Sequence, residues 1–121
     1  MAVMACDDEE QICDYLGLAL QNHGYQVSVF PTGVEAWREF AKQPSRFDLV
    51  VTDMTMPYMT GAEFSQKVLS LRPDIPVILC TGHSALIDRQ KARAMGICDY
   101  LNKPVTQHEL LEAIQNNLPK K

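Results

Sequence analysis

Polar side chains follow four apolar runs of this sequence, at the point where each run ends. They are Asp7-Asp8-Glu9, Asp53, Thr81-Gly82 and Lys103-Pro104. Neighbouring carboxylates repel each other unless a cation or a shared proton lies between them, and carboxylate oxygens are ligands that Mg²⁺ prefers. A lysine and a hydroxyl suit the oxygens of an anion instead. Acids, Mg²⁺ and an ammonium around one carboxylate together suit phosphoryl transfer.

The stretch FDLVVTDMTMPYMTG, residues 47–61, contains the acid that we expect to react. Leu49-Val50-Val51 predicts a fully buried strand, and Asp53 follows where that strand ends. Pro57 indicates a turn, and a helix is predicted to begin near Thr60-Gly61. Open α/β sheets bind their ligands at the carboxyl ends of their strands, so Asp53 is the predicted reactive residue. Taken alone, the pattern also fits an aspartate that merely opens a loop.

Strands and helices alternate along the rest of the chain. The predicted strands are residues 3–6, 25–29, 49–53, 76–80 and 100–101. The helices between them are bounded by Gly24, Pro44, Pro73 and Gly96, with capping-box patterns at 32–35 and 106–109. In the third helix we expect Phe64, Val68 and Leu71 to form the inward stripe. The apolar stripe of the fourth helix is poor.

Strict alternation with short connections predicts one fold class. Parallel strands need crossover helices, so the sheet should be mainly parallel and covered on both faces. The second strand alternates apolar and polar residues, as an edge strand does. We therefore expect a single (βα)5 doubly wound domain over residues 1–121, flavodoxin-like, with strand order 2-1-3-4-5. Its crevice between the first and third strands would hold Asp7, Asp8 and Asp53 together.

Composition narrows the class of protein further. A formal net charge of −4 with no basic stripe argues against a nucleic-acid surface. The apolar runs are too short to span a bilayer and no signal-peptide pattern opens the chain, so we expect a cytoplasmic protein. The cysteines have no metal-ligand or disulfide spacing, and we expect them to be small buried hydrophobic residues in a reducing compartment. They are Cys6, Cys13, Cys80 and Cys98.

Over nearly its whole length the chain resembles the CheY-like receiver domains of bacterial two-component response regulators. The matching pieces are Asp7-Asp8-Glu9, the segment TDMTMPYMTG, the strand-ending Thr81, and Tyr100 three residues before Lys103-Pro104. Each piece is common by itself, but the ordered set at these strand ends is specific. The stretch TGHSALIDRQKARAMGICDYLNKP is similar, more narrowly, to receivers fused to hybrid sensor histidine kinases.

The resemblance implies a role for each of these residues. Asp53 would take a phosphoryl group from the phosphohistidine of a histidine kinase or histidine phosphotransfer domain, as a signalling phosphoacceptor rather than an enzyme with turnover. The residues implied around Mg²⁺ are Asp8, Asp53 and the carbonyl of Thr55, with Asp7 assisting through a water molecule. Thr81 and Lys103 would bind the phosphoryl oxygens. The Lys103–Pro104 peptide bond is expected to be cis.

The resemblance also implies a switch. Phosphorylation would draw Thr81 toward the phosphoryl group and let Tyr100 turn inward, which changes the face built by the fourth helix, the last strand and the last helix. Leu86 and Ile87, if exposed on that face, would suit a partner surface. Thr55 and His83 stand at the two variable positions that tune the loss of the phosphoryl group to water. Thr60 stands where the family usually has aspartate, so the cap of the third helix should differ.

Other functions fit parts of the pattern. Hydrolases of the haloacid-dehalogenase type also use an aspartyl-phosphate nucleophile, but they place a second acid two residues later, where this chain has Thr55. A degenerate receiver that acts only as a binding module is a second alternative, and a flavin carrier on the same fold is a third. The partners that we expect are the phosphohistidine donor and a fused or separate output domain. We expect no direct nucleic-acid contact and no membrane insertion.

Overall fold

The computed structural model describes residues 1–82, 89–103 and 105–118, and strands and helices alternate through them as the sequence predicts. The strands are β1 (Ala2–Cys6), β2 (Gln26–Phe30), β3 (Leu49–Asp53), β4 (Val77–Thr81) and β5 (Asp99–Asn102). The helices are α1 (Glu10–Gln21), α2 (Gly33–Lys42), α3 (Gly61–Leu71), α4 (Arg89–Ala94) and α5 (Gln107–Asn117), and a 3-10 helix covers Pro44–Arg46. None of the helices in these ranges is long and apolar enough to cross a membrane.

The strands form one parallel sheet in the order β2-β1-β3-β4-β5, which confirms the predicted topology. β3 and β4 are buried along their whole length, whereas β2 lies at the edge and is mostly half-buried. The register pairs Asp53 with Cys80 and Thr81 with Asn102. The carboxyl ends of the parallel strands therefore meet at one edge of the sheet, and the polar clusters of the sequence lie at the ends of β1, β3, β4 and β5.

Helices cover both faces of the sheet, because alternate strand residues point to opposite sides. On one face, α2 and α3 pack Phe40 and Phe64 against Met4 of β1. On the other face, α1 and α5 pack Leu20 and Ile114 with the opposite set of strand residues. Two apolar layers of this kind hold the strand ends, and hence the polar clusters, in fixed relative positions.

Threonines begin three of the helices. The hydroxyls of Thr32, Thr60 and Thr106 each accept a hydrogen bond from the backbone N–H three residues later, at 3.1 Å. At Thr60 the side chain of Glu63 also accepts from the threonine N–H, which completes a capping box. Thr60, which stands where the family usually has aspartate, therefore still caps the N-terminus of α3.

Leu71 does not point inward, so this part of the predicted stripe of α3 is wrong. Its side chain is 46% exposed, whereas Phe64 and Val68 are fully buried. The helix ends at Leu71, and the following Arg72 donates hydrogen bonds to the carbonyls of Pro44 and Phe47. These bonds fix the end of the helix at the border of the core, where its last residue has no apolar layer to enter.

The cysteines are also less uniform than predicted. All four are free thiols: Cys6 and Cys80 are buried, Cys13 is half-buried and Cys98 is exposed. Cys98 lies between the end of α4 and β5, and its thiol donates to the carbonyl of Val77 at the rim of the sheet. A rim position has no second layer above it, which is why this side chain stays accessible.

Candidate functional site

Lys103 lies directly against Asp53. The ammonium nitrogen is 2.9 Å from Asp53 Oδ1, and the aspartate is 6% exposed at the end of β3. Lys103 follows β5, and its backbone N–H donates to the carbonyl of Thr81 at the end of β4 over 2.7 Å. The backbone of the neighbouring strand therefore holds the lysine so that its side chain reaches across β4 to β3.

Asp7 and Asp8 complete an acidic cluster around Asp53. One carboxylate oxygen from each of the three residues lies within 4.8 Å of the others. Asp7 is 3% exposed and accepts hydrogen bonds from Lys103 Nζ at 3.2 Å and from the Glu9 N–H at 3.0 Å. Asp8 is exposed. The pairing of Asp7 with Lys103 is a contact that sequence reasoning missed, because it depends on two loops that are far apart in the chain.

The electrostatics of the cluster favour a cation. Burial raises the pKa of Asp7 and of Asp53 above the ordinary value of 3.8, and nearby carboxylates raise both further, while Lys103 opposes the change. Burial lowers the pKa of the Lys103 ammonium, but its bonds and charge interactions with Asp53 and Asp7 outweigh this, and the net change is a rise. Three carboxylates with one ammonium leave an excess of negative charge that a divalent cation would balance.

The loop from β3 to α3 closes tightly over Asp53. The Gly61 N–H donates to the Met54 carbonyl over 2.8 Å, and a Cβ at Gly61 would lie 2.1 Å from the Asp53 carbonyl oxygen. Only glycine fits this approach. At the tip, Tyr58 has φ +70° and is 90% exposed, and the Met59 N–H donates to the Pro57 carbonyl across it. This is a γ-turn in a backbone region that side chains disfavour.

Thr81 is buried at the end of β4, beside the acidic cluster. Among the residues that the structure describes, its Oγ1 is the buried side-chain polar atom without a hydrogen-bond partner. Leaving a buried hydroxyl unpaired costs free energy. A ligand oxygen within reach of this hydroxyl would give it the partner that it lacks.

Tyr100 is already turned inward. It is 9% exposed and packs in the apolar layer on the α2, α3 and α4 side of the sheet, with the Arg89 guanidinium 5.5 Å from the ring centroid. We expect the inward position to follow phosphorylation, but in this structure the unphosphorylated chain already adopts it. The side chain of Thr55 is exposed. His83, Leu86, Ile87 and Pro104 lie outside the described residues, so the expectations for them, including the cis peptide, stay predictions.

The chain is similar in sequence to proteins of one known family. Residues 3–115 match the family model described as "Response regulator receiver domain". The transcriptional regulatory protein GlrR of Escherichia coli is 31% identical over 116 residues, which are 96% of this chain and 26% of that protein. The sensory transduction protein RegX3 of Mycolicibacterium smegmatis is 32% identical over 94% of this chain and 49% of that protein. The chain thus spans about a quarter to a half of the length of these relatives.

Solved structures of response regulators have the same fold as this chain. A response regulator receiver domain protein from Clostridium thermocellum superposes with a TM-score of 0.91 at 32% identity, covering 96% of this chain and 92% of that one. The response regulator TrrA of Thermotoga maritima, solved in complex with Mg²⁺–BeF, gives a TM-score of 0.85 at 28% identity over 97% of this chain and 98% of that one. The chain therefore belongs to the family of response regulator receiver domains of two-component signalling.

Proposed function

We propose that this domain accepts a phosphoryl group on Asp53 from the phosphohistidine of a histidine kinase or histidine phosphotransfer domain. One observation carries the proposal: Asp53 is bonded to the Lys103 ammonium and adjoins two further carboxylates at the sheet edge where the strands end. The ammonium neutralises charge on one side of the carboxylate, and the acids offer a cation site on the other.

The reaction can be written with its atoms balanced. A carboxylate oxygen of Asp53 forms a bond to phosphorus while the P–N bond of phosphohistidine breaks, and the bonding electron pair stays on the imidazole nitrogen. The product is an acyl phosphate. Negative charge on the three phosphoryl oxygens is stabilised by the Lys103 ammonium, and the Thr81 hydroxyl would donate to one of these oxygens. Lys103 is already positioned by Asp53 and Asp7, so little reorganisation is needed.

Magnesium fits the acidic side of the site. Asp8, Asp53 and the Thr55 carbonyl would hold the ion, with Asp7 assisting through a water molecule. The hard carboxylate donors, their separation within 4.8 Å and the raised pKa values of Asp7 and Asp53 all suit a divalent cation. When bound, the ion would supply positive charge to the phosphoryl oxygens. The likeness to TrrA, solved with Mg²⁺–BeF, supports this assignment.

The signal would leave through Thr81 and Tyr100. When Thr81 bonds the phosphoryl group, the packing beside it changes, and Tyr100 lies in the layer that adjoins this position. We expect phosphorylation to favour one packing of Tyr100 and of the α4-β5-α5 face over another. In this mechanism the inward Tyr100 of the structure is the conformation that phosphorylation would stabilise further.

The remaining expectations belong to the same proposal. Thr55 and His83 would tune the loss of the phosphoryl group to water, so the domain would act as a signalling phosphoacceptor with slow autodephosphorylation. Its relatives are longer than this chain, which supports an output domain, fused or separate, as the next partner. We expect neither direct contact with nucleic acid nor membrane insertion.

Intact mass spectrometry after incubation with Mg²⁺ and acetyl phosphate tests the proposal. The wild-type chain should gain the mass of one phosphoryl group, and Asp53→Asn should gain none. Asp14→Asn, an exposed aspartate of α1, is the matched control and should behave as wild type. Many turnovers of a phosphate monoester such as p-nitrophenyl phosphate would favour the hydrolase instead. No gain of mass in the wild type would favour the degenerate receiver.

A further inference from the structure

A cavity of about 120 Å³ lies beside Lys103, between the sheet and the pair of helices α1 and α5. Its walls are almost wholly apolar: α1 contributes Ile12, Tyr15 and Leu16, β3 contributes Val51, and Val105 and Leu110 close the far side. One end is polar, because Asp7, Asp53 and Lys103 line it. The phosphoryl chemistry proposed above uses this polar end and leaves the apolar body without a role.

The volume of the cavity matters because protein interiors contain few voids larger than a water molecule, and cavities lower stability as they grow. An engineered apolar cavity of about 150 Å³ in another protein binds benzene. A cavity of about 120 Å³ is somewhat smaller, but it opens toward solvent, so a ring of that size with a single substituent fits if part of the molecule lies in the opening. Among the lining residues, Tyr15 is 42% exposed and Lys103 is half-buried, so both reach the solvent.

The polar end selects the functional group of the occupant. The Lys103 ammonium is a donor, and the Asp7 carboxylate is an acceptor, 3.2 Å from it. A hydroxyl can accept from the first and donate to the second. Without a bound cation, a carboxylate or phosphate on the occupant would meet the charges of Asp7 and Asp53, and any charge in the apolar body would lose its hydration. The complementary ligand is therefore neutral, apolar and carries one hydroxyl.

We propose that this cavity is a binding site for a small neutral aromatic alcohol of the phenol class. The ring would lie against Leu16, Val51 and Leu110, and the hydroxyl would bridge Lys103 and Asp7. The hydroxyl would contact the ammonium of Lys103, which is paired with Asp53. A bound phenol would therefore change the hydrogen bonding around the proposed phosphoacceptor. The site goes beyond the proposed phosphorylation and does not rest on it.

Titration of the ¹⁵N-labelled full chain with phenol, followed by amide chemical shifts, tests the proposal. We expect saturable shifts centred on residues 12–16, 51, 105 and 110. Benzene, which lacks the hydroxyl and therefore both of its hydrogen bonds, should bind about thirtyfold more weakly. Benzoate should not saturate. Shifts that stay linear with phenol concentration, or that centre elsewhere on the surface, would overturn the proposal.

Cavity-filling variants provide the second arm. Leu16→Phe should abolish saturation because the larger ring occupies the cavity, and Leu18→Phe is its control, since Leu18 on the same helix is 63% exposed and does not line the cavity. If Leu16→Phe fails to fold, Val51→Ile decides the question, because it adds a single methyl group to the floor. If a folded variant with a larger side chain in the cavity bound phenol as tightly as wild type, the proposed site would be wrong.

Discussion

Lys103 forms an ion pair with Asp53 across the end of β4, with the ammonium nitrogen 2.9 Å from Asp53 Oδ1. The same ammonium lies 3.2 Å from Asp7 Oδ2. Two buried carboxylates thus share one cation, so the lysine is a structural counter-ion as well as the proposed ligand of the phosphoryl group.

Replacing that shared cation should weaken the fold. Lys103→Met keeps most of the apolar stem but leaves Asp53 and Asp7 buried without a counter-ion. Removing one partner of a buried pair is costly, and with Lys103 partly exposed we expect a loss of about 1–3 kcal/mol in the free energy of unfolding at pH 7. Urea unfolding measures it. The loss should shrink toward pH 4 as the carboxylates gain protons, and an equal loss at both pH values would contradict the electrostatic explanation.

Neutralising Asp7 should have the opposite effect on the metal-free protein. The pKa of Asp7 is raised mainly by burial, so the folded chain takes up this proton at higher pH than the unfolded chain. The stabilisation from protonation is complete below the ordinary value of 3.8 and is lost as pH rises through the folded-state pKa. At pH 7 the ionised Asp7 is therefore a cost that Asp7→Asn removes.

We expect Asp7→Asn in EDTA to raise stability at pH 7, with the gain fading toward pH 4 as the wild-type carboxylate takes up its proton. Thermal unfolding at several pH values measures the difference. Mg²⁺ should raise the melting temperature of wild type more than that of Asp7→Asn, because only wild type has the full set of acids. Asp14→Asn is the control, and a gain of the same size there would mean that net charge, rather than the buried site, is responsible.

Thr81→Val should stabilise the unphosphorylated chain. The variant keeps the shape of the side chain and removes a buried hydroxyl that lacks a partner among the described residues, so we expect a gain of about 1 kcal/mol. Thr52→Val is the matched control: Thr52 is equally buried, but its hydroxyl donates to the Asp53 carbonyl at 3.0 Å, and its loss should cost about 1 kcal/mol. Equal effects of the two substitutions in urea unfolding would argue against an unpaired Thr81.

Tyr58→Gly should also be stabilising. With φ at +70°, a non-glycine residue here costs about 1–2 kcal/mol of stability. Glycine removes this strain but loses more conformational entropy on folding, which costs roughly 0.5–1 kcal/mol. The net gain should be about 0.5–1 kcal/mol. Tyr58→Ala keeps the strained backbone and should leave stability near that of wild type. If alanine and glycine gave the same unfolding free energy, the strain would not be real.

Gly61→Ala should be severely destabilising, because its Cβ would lie 2.1 Å from the Asp53 carbonyl oxygen and 2.9 Å from the Met54 Cα. The backbone beside the acceptor would have to move, so we expect a loss of about 2–4 kcal/mol together with slower phosphorylation by acetyl phosphate. Gly82→Ala has no atom within 4 Å of the added Cβ and should change stability by less than about 0.5 kcal/mol. A tolerated Gly61→Ala would mean that the loop approaches Asp53 less closely.

Most of the fold followed from local pattern. Apolar runs that end in polar residues, with helices between them, allow essentially one parallel sheet, and the topology places Asp53, Thr81 and Lys103 at the same edge. The identities of these side chains also limit the chemistry, since the residues described at this edge offer carboxylates, an ammonium and a hydroxyl. What these residues do in phosphorylation stays a prediction until it is measured.

Distance and burial were decided by the tertiary structure alone. The pairing of Asp7 with Lys103, the inward position of Tyr100, the exposure of Leu71 and the cavity beside α1 all depend on how separate loops and helices meet. A sequence pattern gives the periodicity of a face, but the strength of an ion pair varies with separation and local dielectric, and a cavity is whatever volume the packed side chains leave. These quantities exist only once the chain has folded.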